Sequence, residues 1–298
     1  MDYLLRSMLF IPCHNEKYIM KAADCGADAI IFDMEDAVPR SEEQKARDLL
    51  NKYLELEAME GKQLFIRVNE LGTDSLLADM ELLRHENIMG IVPPKIDSVA
   101  DINKFEALLL EQEIKNHYPV GKFKMLPLIE TAAAIMNIKN IAGCSERIIA
   151  LLFGGEDYLD SVWGEHLEPP QALDHPRSMV AMAARMRGIL PIDTPYLDLN
   201  NEKGFMDEEI KSRAMGFAGI LLVTPKQIPW AHSCFSPTKE EIIHAEKVLM
   251  AVNEAKKAGG SVAKINGKMI GPPMRKRAEK VLLLNRLICE RERNSKGN

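Results

Sequence analysis

AIIFDMED (residues 29–36) is a short apolar run that ends abruptly in three carboxylates, Asp33, Glu35 and Asp36. Behind it, SEEQKARDLLNKYLELEAME (41–60) carries apolar residues at the spacing of an amphipathic helix. Its opening Ser41–Glu42–Glu43 is expected to supply an N-cap and acidic first-turn positions. A buried-type strand, a polar end and a helix make one β/α unit, and the unit recurs along the chain. The β-type runs are SMLFIP (7–12), AIIFDM (29–34), LFIRVN (64–69), GIVPPK (90–95), KMLPLIE (124–130), IIALLFGG (148–155), ILPIDTP (189–195) and GILLVTP (219–225). Near-continuous hydrophobicity is what strands covered on both faces require. Helical patterns such as EKYIMKAADCG (16–26) and DSVADINKFEALLLEQEI (97–114) lie between them. Eight such units predict an α/β fold of the TIM (β/α)8 barrel type, which needs about 250 residues. A doubly wound open sheet is the main rival, but no glycine-rich dinucleotide loop supports it.

The pattern changes after residue 234. FSPTKEE (235–241) leads into a long helical stretch through Lys257, then GGSVAKINGKMIGPP (259–273) reads as a turn and short hairpin before a charged helix. Two regions follow: a barrel over 1–234 and a C-terminal helical extension over 235–298. The extension is too small for a good core of its own and is expected to pack on its barrel or on a neighbouring subunit. A net charge of −6 gives no reason to expect a nucleic-acid or membrane-surface partner. MDYLLRSMLFIP has too short an apolar stretch for a membrane span and no signal-cleavage pattern. The five cysteines are odd in number and scattered without a CxxC, as expected of reduced thiols in a cytoplasmic protein. The 17 methionines are dispersed and expected to fill the core.

In a parallel barrel the polar strand ends meet on one face, where they would gather a metal site and an anion site. Glu130 ends the fifth run and Asp157 lies just beyond the sixth. Adjacent strands are ~4.8 Å apart, so both carboxylates could reach one hard divalent cation such as Mg²⁺. Helix caps or solvated loop acids are the competing reading. Arg67, set among apolar residues in FIRVN, needs a partner for its charge. Its guanidinium suits a substrate carboxylate or carbonyl, or an ion pair with Asp33, Glu35 or Asp36. Lys45 and Arg47 follow at helical spacing and could meet a phosphate near the mouth. Lys95 and Asp193 also end strands, and His14 follows the first; each alone is a weak signal. No HExxH, P-loop or Ser-His-Asp pattern is readable.

These segments resemble the citrate lyase β-subunit family, within the HpcH/HpaI aldolase and citrate lyase group. RSMLFIP, GADAIIFDMEDAVP with KAR, FIRVN, PPKIDSVAD, IETAAAI, ALLFGGEDY, LPIDTP, GFAGILLVTPKQI, FSP and NGKMIGPP follow the family's order across about residues 6 to 280. The resemblance implies a barrel with a C-terminal extension, assembled as a homotrimer or hexamer. It implies Mg²⁺-dependent making or breaking of a carbon–carbon bond in coenzyme A thioesters, with an acyl-carrier protein as a further partner. Glu130 and Asp157 would be metal ligands, and Arg67 would contact the acyl or oxo-acid group. Glu35 and Asp36 would support Arg67 and the metal's water shell, and Lys45 and Arg47 would lie near the coenzyme A phosphates.

Three departures stand out. Pro12–Cys13 replaces the usual Pro-Gly, and Val223–Thr224–Pro225 replaces Ile-His-Pro. Gly271 closes Gly267–Lys268–Met269–Ile270–Gly271 where relatives often carry an aspartate that transfers a proton. The leading expectation is a lyase acting on a citryl-, malyl- or citramalyl-type thioester. An aldolase of free 2-oxo acids and a non-catalytic subunit of a lyase complex are the alternatives.

Overall fold

Each predicted run forms a parallel strand, because its β-branched and aromatic side chains are buried on both faces. The computed structural model describes residues 3–56, 59, 61–165, 167, 171–257, 263–265 and 268–296. The strands are β1 (Ser7–Pro12), β2 (Ala29–Asp33), β3 (Gln63–Arg67), β4 (Ile88–Val92), β5 (Lys124–Met125), β6 (Leu128–Ile129), β7 (Ala150–Phe153), β8 (Leu190–Asp193) and β9 (Gly219–Leu222). Their order in the sheet is β5-β4-β3-β2-β1-β9-β8-β7-β6.

The two ends of that order are halves of one strand, interrupted at Leu126–Pro127 because proline offers no N–H. On one side Leu126 and Leu128 donate to the carbonyls of Ile91 and Pro93, both at 3.0 Å. On the other, Leu152 donates to Pro127 at 3.0 Å and Gly154 to Ile129 at 3.1 Å. The sheet therefore closes into an eight-stranded barrel, with Phe32, Phe65, Phe123 and Phe153 among its largest fully buried side chains.

The helices that position the mouth are α1 (Glu16–Ala22), α2 (Glu43–Leu54), α3 (Asp74–Met80), α4 (Val99–Lys115), α5 (Ala132–Ile141), α6 (Gly155–Ser161), α7 (Asp174–Arg187) and α8 (Glu202–Met215), with α9 (Ile228–Phe235) closing the unit. Ser98 and Thr131 cap α4 and α5 by accepting from Asp101 and Ala134. The expected cap at Ser41 does not form. Arg40–Glu42 winds into a 3-10 turn after Pro39, so Glu42 takes the N-cap place of α2 without a side-chain bond. The methionines also depart from expectation: Met8, Met34 and Met125 are buried, but Met20, Met136, Met182, Met186, Met250 and Met269 are more than half exposed.

Buried ion pairs fasten the opposite end of the barrel. Arg6 grips Asp28 through Nε at 2.8 Å and Nη2 at 2.9 Å, and Arg147 grips Glu113 at 2.6 and 2.8 Å. Ser7 Oγ lies 2.8 Å from His232 Nε2, and Asp28 lies 3.5 Å from the same nitrogen. The trio ties the starts of β1 and β2 to α9.

Residues from Phe235 onward form a second compact unit. α10 (Lys239–Lys257), an antiparallel hairpin of β10 (Ala263–Ile265) and β11 (Lys268–Ile270), and α11 (Pro272–Lys296) enclose a small core of Ala245, Val248, Ala263, Ile270 and Ala278. The hairpin turn and Gly267 lie outside the described residues. No described helix is long and apolar enough to cross a membrane.

Glu209 departs from the usual polar accounting at both of its oxygens. Both carboxylate oxygens of Glu209 on α8 are buried without a hydrogen-bond partner, and burial together with Asp193 pushes its pKa well up. The folded chain then binds more protons than the unfolded chain above about pH 4.3, so this group's contribution falls as pH rises. Thermal unfolding followed by circular dichroism from pH 5 to 8 should show Glu209→Gln removing part of the wild-type decline and raising Tm at pH 8. Parallel pH slopes for the two proteins would contradict this.

Candidate functional site

Parallel strands deliver their C-terminal ends to one mouth. Asp33 and Arg67 are register partners at the ends of β2 and β3. Arg67 Nε donates to Asp33 Oδ1 at 2.8 Å and Nη2 to Asp33 Oδ2 at 2.6 Å, a two-pronged pair with Asp33 fully buried. Arg67 Nη1 lies 3.0 Å from Glu35 and 3.4 Å from Asp36, while the guanidinium stacks 4.8 Å from the Phe10 ring centroid. The structure thus realises the ion-pair reading of Arg67. Glu35 Oε1 has no hydrogen-bond partner and lies 3.6 Å from Lys95 Nζ.

Lys95 follows β4 with φ of +50°, a left-handed backbone that costs a non-glycine residue about 1 kcal/mol or more. That turn aims its backbone N–H at Glu130 Oε1, 2.6 Å away. Glu130 is buried at the end of β6, and Oε2 faces Gly154. A Cβ on residue 154 would stand 2.6 Å from the Glu130 Cβ, so only glycine lets the two strand ends come this close. Asp157 sits in the first turn of α6. Desolvation pushes the Glu130 carboxyl up to about 7, against the Lys95 N–H bond, and the negative charge of Asp157 adds to the rise. Glu35 is also pushed up to about 7, first by burial, with Arg67 opposing and Asp36 and Glu130 adding to it. Asp157 is raised by desolvation and by Asp36.

Four mutually repelling carboxylates, Glu35, Asp36, Glu130 and Asp157, therefore face two cations, Arg67 and Lys95. Among the described residues, no three His, Cys, Asp or Glu side chains are grouped tightly enough to enclose a metal ion. A Mg²⁺ site needs only one or two carboxylates, with water and substrate oxygens completing it. The pair of the buried Glu130 and the exposed, repelling Asp157 fits that requirement, because a divalent cation would remove the charge excess.

Lys45 and Arg47 stand apart from this cluster. Lys45 is exposed and reaches Glu42 at 2.6 Å. Arg47 is largely buried, donating to Asp79 at 2.8 Å with Glu43 at 3.7 Å. Asp79 in turn accepts from the Asn69 side chain at 2.7 Å, and Asn69 donates to the Met34 carbonyl at 2.9 Å. Arg47 thus braces the segment that presents Glu35. His14 is half-buried after β1, with its Nδ1 unpartnered. Asp193 turns away from the mouth and accepts from Arg177 at 3.0 Å. Phe10 and the backbone of Lys95 carry functions that residue type does not signal.

The family profile described as HpcH/HpaI aldolase/citrate lyase matches residues 6–225. Citrate lyase subunit beta of Leuconostoc mesenteroides subsp. cremoris is 34% identical over 300 residues, covering 100% of this chain and 98% of that protein. A (3S)-malyl-CoA thioesterase of Cereibacter sphaeroides is 31% identical over 265 residues, covering 89% of each. Among solved structures, the protein CitE of Mycobacterium tuberculosis, in complex with magnesium, acetoacetate and coenzyme A, superposes with a TM-score of 0.75 at 25% identity. That match covers 93% of this chain and 96% of the other.

The Arg67–Asp33 pair sets a testable stability. Arg67→Ala strands a buried carboxylate and should cost about 3–5 kcal/mol in denaturant unfolding. The Asp33→Asn/Arg67→Ala double variant should recover a large part of that loss, since the stranded charge is gone. A double variant as unstable as the sum of the two single ones would contradict the coupling.

Proposed function

Because the chain belongs to the HpcH/HpaI aldolase/citrate lyase family and is a lyase of that family, we propose that it cleaves a carbon–carbon bond in a 3-hydroxy-acyl coenzyme A thioester of the citryl, malyl or citramalyl type. Its products would be acetyl-CoA or a related thioester and an oxo acid. The observation that carries this reading is the mouth geometry: the buried Glu130, one oxygen fixed by the Lys95 N–H, stands with Asp157 in the first turn of α6 and with Arg67 held by Asp33. The magnesium, acetoacetate and coenzyme A bound to the similar CitE structure support the same choice of ligands.

In this reading Glu130 and Asp157 hold Mg²⁺, which when bound would polarise the oxo-acid oxygen and stabilise charge developing there. Lys95 fixes one oxygen of Glu130 through its backbone, leaving the other for the ion. Asp33 holds two N–H donors along one edge of the Arg67 guanidinium, so the arginine is pre-oriented for substrate. Its 3.4 Å contact with the exposed Asp36 is the weakest of its bonds, and a substrate carboxylate would take that place. Glu35 stays tied to Arg67 and keeps one oxygen for the shell of water around the ion. Of the two cations assigned to the coenzyme A phosphates, Lys45 is the available one, because Arg47 would have to give up Asp79. Residues 1–234 form the catalytic domain and 235–298 an extension through which copies of the chain associate.

Calorimetric titration with Mg²⁺ should give a saturable isotherm for the wild type and none for Glu130→Ala or Asp157→Ala. Turnover on a thioester panel should release oxo acid without free thiol. Free thiol would instead indicate hydrolysis, as in the thioesterase relative, and full turnover of both variants in metal-free buffer would overturn the reading.

Gly271 favours a second reading, aldol chemistry on free 2-oxo acids, because glycine cannot transfer a proton to a thioester-derived enolate. A Cβ at this position would meet nothing nearer than Pro273 Cδ at 3.6 Å, so a side chain fits. On the thioester reading, Gly271→Asp should leave Tm unchanged and raise kcat on the thioester at least about tenfold. An unchanged kcat, with turnover confined to free oxo acids, would favour the second reading.

A further inference from the structure

Asp157 rides on α6, a helix of only seven residues and too short to hold itself in water. Its N-cap residue is Gly154, which has no side chain with which to cap it. The first N–H of the helix is instead taken up just past the neighbouring strand: Gly155 N–H donates to Thr194 Oγ1 at 2.8 Å in a fully buried contact. A Cβ on residue 155 would stand 2.9 Å from that hydroxyl oxygen and 3.1 Å from Leu173 Cδ1, so the approach depends on glycine. Thr194 is itself held in place. Its backbone N–H donates to Asp193 Oδ1 at 2.8 Å, and the same oxygen accepts from Arg177 Nε at 3.0 Å. Arg177 is anchored on α7 and also bonds Glu208 of α8. At the far end of α6, Ser161 Oγ accepts the N–H of Ala132, two residues past Glu130, at 3.0 Å.

The seven-residue helix is thus suspended between β8 and the strand that ends in Glu130. The Ser161 bond is exposed to water, while the Thr194 bond is dry and braced from behind by Asp193 and Arg177. We propose that Thr194 is a positioning residue whose hydroxyl sets the direction of α6 and so the separation of Asp157 from Glu130. The proposal rests on reading those two carboxylates as the Mg²⁺ ligands. It makes Thr194 a hydrogen-bonding support one element removed from the ion, where substitution typically changes metal affinity by 10–100-fold.

Calorimetric titration of the full chain with MgCl₂ at 25 °C tests this without substrate. Thr194→Val keeps the side chain's shape and removes the hydroxyl, and Mg²⁺ should bind it at least about tenfold more weakly than the wild type. Thr194→Ser restores the hydroxyl and should bring the affinity back to within about threefold, a recovery that lost packing alone would not give. Should Thr194→Val fail to fold, Gly155→Ala replaces it: its Cβ forces the two elements apart, and the same loss of affinity is expected. Wild-type affinity in Thr194→Val, or in Gly155→Ala where that variant stands in, overturns the proposal if Asp157→Ala has lost binding. If Asp157→Ala itself binds Mg²⁺ like the wild type, the metal reading fails and the proposal fails with it.

Discussion

The ion pair between Arg67 and Asp33 is the contact on which the mouth of the barrel depends. Asp33, Glu35 and Glu130 are buried at or just past the ends of β2 and β6, and without a fixed positive charge among them they would drive the strand ends apart. Arg67 supplies it from the register position beside Asp33, with its donors spread over Asp33, Glu35 and Asp36 and its face on Phe10. One cation cannot neutralise the whole set. The excess collects on Glu35 and Glu130, both raised to about 7, and on Asp157. A bound cation would lower the pKa of these carboxyls by relieving their mutual repulsion.

The barrel was readable because strand burial on both faces leaves a plain mark, an unbroken apolar run with a polar end. All eight runs became strands, and the fifth split only where Pro127 withholds its N–H. The members of the mouth were readable for the same reason, since polar residues at the ends of buried strands have few other places to be. What these residues touch was less legible. Arg67 had two open readings in sequence, a substrate contact or an ion pair, and only register shows that Asp33 takes two of its donors. Lys45 and Arg47 share a helix, but only the fold shows that Asp79 takes up Arg47 while Lys45 remains in solvent. Asp193 looked like another mouth acid, and its side chain instead turns outward to Arg177.

Backbone and glycine contributions were hidden altogether. The N–H of Lys95 reaches Glu130 only through a left-handed turn, which no residue-type rule assigns to lysine. The Gly154–Gly155 pair reads in sequence only as the close of the sixth apolar run, yet each glycine admits a specific neighbour: Glu130 at the first and Thr194 at the second. These supports convert a ring of acids into a defined pair at Glu130 and Asp157. Gly271 lies in the second unit and takes no part in that ring.

The most direct test of this account is an anomalous-difference map from crystals grown with Mn²⁺ in place of Mg²⁺ and a 2-oxo acid. The account predicts one strong peak between the Glu130 and Asp157 carboxylates, with the oxo acid reaching from the ion toward Arg67. A peak elsewhere, or an oxo acid bound with no metal between those two side chains, would contradict it.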